Sequence, residues 1–113
     1  MWNYDALIIA GSDSAAVNIN ALGPTTVVAG VAGKCILLVS GILVGTAANS
    51  ITLEDTLGEV YGGPMPFAAN GGVAIPYCPI GAIKKLPLGT GLVIGSSVAT
   101  PVGGIVSFIR IPG

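Results

Sequence analysis

The chain has no histidine, and only 8% of its 113 residues are charged. Without histidine, Ser-His-Asp and Cys-His nucleophile arrangements fall away, together with the commonest general base. The shortage of charge matters more, because a typical globular domain is about 25% charged. The surface must therefore be built from Ser, Thr, Asn, Gly and bare apolar groups, a poor composition for a free monomer. Lys34, Lys84, Lys85 and Arg110 stand against Asp5, Asp13, Glu54, Asp55 and Glu59, for a net charge of −1. No basic stripe exists to neutralise phosphates, which excludes nucleic acid as a partner. Cysteine occurs only as Cys35 and Cys78. Two thiolates without histidine do not complete the usual four-ligand zinc site, so both read as small buried hydrophobes with free thiols. No metal and no cofactor is expected.

Long apolar spans are missing as well. The most apolar run, Cys35 to Thr46, is twelve residues long and contains Gly41 and Gly45, whereas a spanning helix needs about 20 apolar residues. No membrane insertion is expected. The opening MWNYDALIIAGSDS has no positive region ahead of its short apolar stretch, so a signal peptide does not fit and synthesis in a cytoplasm is the expectation.

What the chain does have is 52% hydrophobic residues interrupted by 18 Gly and 8 Pro. Apolar and polar residues alternate in Val17 to Ala21 and in Ile51 to Glu54, the period of a strand with one wet face. Leu7 to Ala10, Thr25 to Ala29, Cys35 to Val44, Leu92 to Ile94 and Ile105 to Ile111 are apolar on both faces. Such strands lie between sheets or meet another subunit. Lys34 to Val44 also has apolar residues at helical spacing, but its β-branched content and glycines favour a strand. Turn signals stand at Gly11–Ser14, Leu22–Pro24, Ala48–Ser50, Gly62–Pro64, Asn70–Gly72, Gly89–Gly91 and Gly103–Gly104. Their spacing of about 8 to 12 residues is that of a sandwich or barrel. The expectation is a single all-β domain over residues 1–113, an antiparallel β-sandwich of about seven to nine short strands. Residues 1–12 form an N-terminal arm or edge strand in this reading.

Few residues carry chemistry. Glu54, Asp55 and Glu59 lack the alternating spacing of a calcium loop and read as a solvated hairpin tip between Ile51–Leu53 and Val60–Tyr61. Gly89-Thr90-Gly91 lacks the Lys-Ser/Thr of a phosphate loop and reads as a turn. Lys84 and Lys85 read as a solvated turn that, in an assembly, pairs with an acidic partner surface. Large side chains dominate interfaces, which makes Trp2, Tyr4, Tyr61, Phe67 and Tyr77 worth following, although core packing is the commoner role for any single one.

The run Gly62-Gly63-Pro64-Met65-Pro66-Phe67-Ala68-Ala69-Asn70-Gly71-Gly72-Val73-Ala74-Ile75-Pro76-Tyr77-Cys78-Pro79 resembles a segment of small β-sandwich proteins of tailed bacteriophages and prophages. Val27 to Ile36 is similar to a strand pair of the same group, and Gly89 to Ile94 with Val102 to Phe108 is similar to its closing hairpin. The likeness spans roughly residues 17–111. It departs at Ile83-Lys84-Lys85-Leu86-Pro87-Leu88, where the pattern has an aromatic and acidic residues, and at Cys78, which replaces a polar residue.

The resemblance implies a jelly-roll-like, non-enzymatic virion component of the capsid cement or decoration kind. Such a protein forms a homo-oligomer, with a trimer favoured, and sits on the outer surface of a capsid, where it bridges major capsid protein subunits. Interface residues expected on this view are Trp2, Tyr4, Met65, Phe67, Tyr77, Ile83, Lys84 and Lys85, with Trp2 and Tyr4 on the arm. The competing expectation is a receptor- or glycan-binding head module of a fibre or tail accessory protein, with Tyr61 beside Glu59 as its sugar-contacting pair.

Overall fold

A computed structural model describes residues 13–75 and 84–112. Nine strands follow one another in them: β1 (Asp13–Ile19), β2 (Gly23–Val28), β3 (Lys34–Gly45), β4 (Asn49–Asp55), β5 (Val60–Phe67), β6 (Gly72–Ile75), β7 (Lys84–Lys85), β8 (Leu92–Ser96) and β9 (Val102–Pro112). The expected strand at Leu7 to Ala10 lies outside the described residues. One sheet has the order β1-β9-β3-β6, with β7 also paired to β3, and the other has the order β2-β8-β4-β5. All pairings are antiparallel.

The topology has a simple generator. β4 pairs with β5, β3 with β6, β2 with β8 and β1 with β9, so the chain is one long antiparallel ribbon whose apex is the β4–β5 connection. Winding that ribbon over itself brings β9 beside β3 and β8 beside β4. This is the jelly-roll arrangement of two facing sheets, one of them extended to five strands by β7, and it matches the sandwich expected from the turn spacing.

The two inner faces make the core. Val17, Ile19, Ile36, Leu38, Leu43, Val106 and Phe108 from one sheet meet Val28, Ile51, Leu53, Leu92 and Ile94 from the other. In β4 the burial alternates without interruption, as the Ile51 to Glu54 pattern predicts. In β3 it does not, and Cys35 through Val39 are all buried. A bulge between Leu38 and Ser40 explains both halves of this strand. Before it the even-numbered Ile36 and Leu38 face the core, and after it the odd-numbered Gly41 and Leu43 do, because the extra residue shifts the pleat by one. The odd-numbered Cys35, Leu37 and Val39 form a second buried cluster with Ile109 and Ile111. Cys35 to Val39 is apolar at every position because both of its faces are buried, and no helix occurs among the described residues.

Several expected turns lie within strands. Gly23 and Pro24 open the edge strand β2, where the proline's missing N–H costs no ladder bond. Asn49 and Ser50 start β4, and Gly103 and Gly104 belong to β9. Gly62-Gly63-Pro64 runs through β5, where Ile51 pairs with Met65 and Leu53 with Gly62, so three residues of β5 span two of β4. At Gly104 a side chain would strike the carbonyl oxygen of Ile42 on the neighbouring strand. Gly104 thus serves close backbone approach rather than reversal of the chain.

Buried polar groups are paired where the ribbon closes. Asn49, 6% exposed, donates from Nδ2 to Ser96 Oγ at 2.8 Å. Its Oδ1 accepts from the N–H groups of Ser50 at 2.7 Å and Ser97 at 3.1 Å. Replacing Asn49 with Ala orphans these groups, for an expected loss of about 1–3 kcal/mol. Ile94→Ala, in the middle of the core, is expected to cost about 2–5 kcal/mol, and urea unfolding of both variants against the parent checks the two figures.

Candidate functional site

Two regions of the surface stand out, one charged and one free of charge. The charged one lies at the end of the sandwich where three connections meet. Thr56 and Gly91 exchange two hydrogen bonds at 3.1 Å, backbone N–H to carbonyl and backbone N–H to hydroxyl, and Gly89 N–H donates to Lys34 O at 2.8 Å. Arg110 reaches across from β9 to donate to Ala29 O at 2.9 Å. Leu86 N–H donates to Ile36 O at 2.8 Å and seats its side chain in the core, which presents the preceding Lys84 and Lys85 to solvent.

Asp55 organises this end. It was expected on a solvated tip, but it is 2% exposed. Its Oδ1 accepts from Leu57 N–H at 2.8 Å and Glu59 N–H at 3.1 Å, its Oδ2 accepts from the Tyr61 hydroxyl, and its backbone closes the turn with Gly58 and Glu59. These are the bonds of an Asx turn, and they explain why an acidic residue can be buried here. Burial pushes the Asp55 carboxyl up, but the bonds from Tyr61 and from the backbone of Glu59, Leu57 and Gly58 outweigh it and hold the group below its ordinary value of 3.8. The Tyr61 hydroxyl is driven far upward by burial, by its bond to Asp55 and by the negative charges of Asp55 and Glu59. Both side chains are thus committed to holding this turn.

Beside this tip runs an open groove of about 450 Å³ lined by Asp55, Leu57, Glu59, Tyr61, the Lys84–Lys85 pair and Leu88, among others. Lys84 Nζ stands 4.6 Å from the centroid of the Tyr61 ring, a cation–π distance. Tyr61 therefore has its hydroxyl bound to Asp55 and one face of its ring occupied by Lys84. Leu57 and Leu88 on the groove wall are 78% and 56% exposed.

The second region is the outer face of the five-stranded sheet beyond the β3 bulge. Register places Ser14, Ala16 and Asn18 of β1, Ser107, Ile105 and Gly103 of β9, Ser40, Ile42 and Val44 of β3, and Ala74 and Gly72 of β6 on one side. No charged side chain is among them. Ile42 and Ile105 are direct cross-strand partners, and with Val44 each is about half exposed. On the same face of β3 and β9, before the bulge, Cys35, Leu37, Val39, Ile109 and Ile111 are buried, so the exposed apolar surface is confined to the part beyond it.

Of the residues expected at an interface, Lys84 and Lys85 are exposed beside the groove. Met65 and Phe67 are half-buried against the main core, in the packing role that is commoner for large side chains. Trp2, Tyr4, Tyr77 and Ile83 lie outside the described residues, as does Cys78. Cys35 is a buried free thiol. Ile42, Val44 and Ile105 were not among the expected interface residues. Their strands read as apolar on both faces, and which apolar side chains remain uncovered depends on the bulge. Among the described residues no group of three His, Cys, Asp or Glu is placed to hold a metal ion, and no helix is long and apolar enough to cross a membrane.

Comparison with family models, with curated proteins and with solved structures finds no match.

The depressed Asp55 carboxyl adds stability that is complete above the unfolded value and is lost as pH falls through the folded one. Asp55→Asn removes that dependence, so the difference in unfolding free energy between parent and variant should shrink below about pH 5. Chemical denaturation repeated across acid pH measures it. Tyr61→Phe deletes one of the three side-chain bonds and should flatten the same acid dependence in part.

Proposed function

We propose that the chain is a non-enzymatic structural protein of a virus particle, of the capsid decoration or cement kind. It self-associates, with a trimer favoured, and bridges major capsid protein subunits on the outer surface of the shell. The observation that carries this reading is the charge-free outer face with its exposed Ile42, Val44 and Ile105. A monomer in water gains nothing from such a face, whereas a second copy buries it at about 25 cal/mol per Å² of apolar area, less the cost of association. A neutral face also meets its own copy without like-charge repulsion, and closed symmetric assemblies are the usual outcome of self-association.

Three further features support the reading. The segment from Gly62 to Pro79 resembles virion β-sandwich proteins. The jelly roll is an architecture of capsid and lectin domains, a fold-level analogy only. The ionisable residues best placed for chemistry, Asp55 and Tyr61, are committed to holding a turn. A glycan-binding head remains the rival, but its leading residue, Tyr61, is occupied by Asp55 and Lys84.

Light scattering on the purified chain at micromolar concentration is expected to give a closed oligomer, and Ile42→Lys together with Ile105→Lys should shift it to monomer while leaving the circular dichroism of the sheets unchanged. A parent protein that is monomeric at that concentration overturns the proposal. In particles, the chain should be present in very many copies, which quantitative mass spectrometry of purified virus would count.

A further inference from the structure

The outer face of the four-stranded sheet carries a trough that neither the neutral face nor the charged end includes. It has a volume of about 230 Å³ and crosses the strands from Pro24 on β2, over Gly95 on β8 and Thr52 on β4, to Pro64 on β5, with Glu54 and Ser97 beside that row. Ser50, Thr52 and Glu54 alternate with buried Ile51 and Leu53 and so point outward. Gly95 makes the trough. A Cβ there would strike Glu54 Oε2 and Thr52 Oγ1, so the missing side chain is what lets the Glu54 carboxylate lie across β8. Thr52 Oγ1 donates to Glu54 Oε2 at 2.6 Å and pins it there.

The hydroxyl protons of this face are already spent. A carboxylate, the Asn49 Oδ1 and the Val98 carbonyl can only accept, so Thr52 donates to Glu54, Ser97 Oγ to Asn49 at 2.9 Å and Ser96 Oγ to Val98 at 2.7 Å. Thr52 and Ser97 therefore offer a ligand lone pairs rather than donors. Glu54 adds to them, since its carboxylate has one side-chain hydrogen bond among the described residues, on Oε2. The charge is one-sided as well. All four lysine and arginine side chains belong elsewhere: Lys84 stands over Tyr61, Lys85 lines the groove at the charged end, Arg110 reaches Ala29, and Lys34 opens β3 in the other sheet. None of them lines the trough, and among the described residues that do, Glu54 is the one acid.

We propose that this trough binds a guanidinium group. On an arginine side chain that group presents five N–H donors in a fixed planar fork and no acceptor, the complement of a pinned carboxylate bordered by hydroxyl lone pairs. Charge-assisted bonds of this kind are roughly twice as strong as neutral ones. Guanidinium is also weakly hydrated for a cation, which suits a site bordered by the proline rings of Pro24 and Pro64. The volume lies below the range of about 300–1,000 Å³ usual for drug-sized ligands, so it admits one such group rather than a long molecule. The group comes from an arginine side chain of a partner or from a free guanidino compound. The inference does not depend on the assembly reading, because the trough and the neutral face lie on different sheets.

The test follows amide shifts of the isotopically labelled full chain with methylguanidinium chloride, with an acetylated, amidated Gly-Arg-Gly peptide and with the neutral isostere methylurea. At low salt the resonances of Thr52, Glu54, Gly95 and Ser97 should move with the two cations and stay still with methylurea, and the affinity should fall as salt is raised. Glu54→Gln, which keeps the shape and removes the charge, should weaken binding by about tenfold or more. Thr52→Val, which releases the carboxylate from its position, should weaken it by a smaller factor, and Gly95→Ala should abolish it by filling the trough. Lys85→Ser, at the other site, should leave it unchanged. Tighter binding of the peptide assigns the site to a partner's arginine and tighter binding of methylguanidinium assigns it to a free compound; either order upholds the site. Equal shifts with methylurea, no shifts at these residues, or an unchanged affinity in Glu54→Gln overturns the proposal.

Discussion

Contact between the inner faces of two sheets holds this molecule in its shape. Ile36, Leu38, Leu43, Val106 and Phe108 press on Ile51, Leu53, Leu92 and Ile94, and with so few charges available no network of ion pairs substitutes for that burial. Everything else is arranged around it. The bulge in β3 keeps large side chains inside on both of its flanks, the Asn49 cluster satisfies the backbone where β4 meets the end of β8, and Asp55 ties the ribbon's apex. Removing water from the inner faces is the driving term, and the polar clusters make it possible by leaving few buried groups unpaired.

Much of the architecture was legible in the residues. The alternation in Ile51 to Glu54 placed β4, the two-faced run from Cys35 to Val44 marked a strand that is covered on more than one side, and the spacing of turn signals pointed to a sandwich. The misreadings share one physical cause. A glycine in sequence signals freedom of the backbone, but whether that freedom serves a turn or the close approach of a neighbouring strand depends on a partner far along the chain. Gly103-Gly104 was ambiguous for that reason, since Gly104 lies against the backbone of Ile42 and pairs with Leu43.

The candidate surfaces were legible only in part. Lys84 and Lys85 stood out because charge is so scarce, and they do border a groove. Asp55 looked like any residue of an acidic tip, because its bonds come from backbone N–H groups that no side-chain pattern reveals. Ile42, Val44 and Ile105 were hidden among many apolar neighbours: a shift of one residue in the pleat decides which of them meets solvent. The segregation that results, charge gathered at one end and a neutral sheet face elsewhere, gives one small chain two surfaces with different chemical preferences.

The nested ribbon also constrains how the chain acquires its structure. β9 sits between β1 and β3 in the five-stranded sheet although it is the last of the described strands in chain order. Until it emerges from the ribosome, β1 has no sheet neighbour among the described strands. The apex hairpin forms from residues close in sequence, whereas the outermost pairing joins residues 83 to 95 positions apart, which places this fold among the slow ones. During translation the earlier apolar strands wait, uncovered, for β9, and a cell making many copies at once has to keep those waiting chains apart.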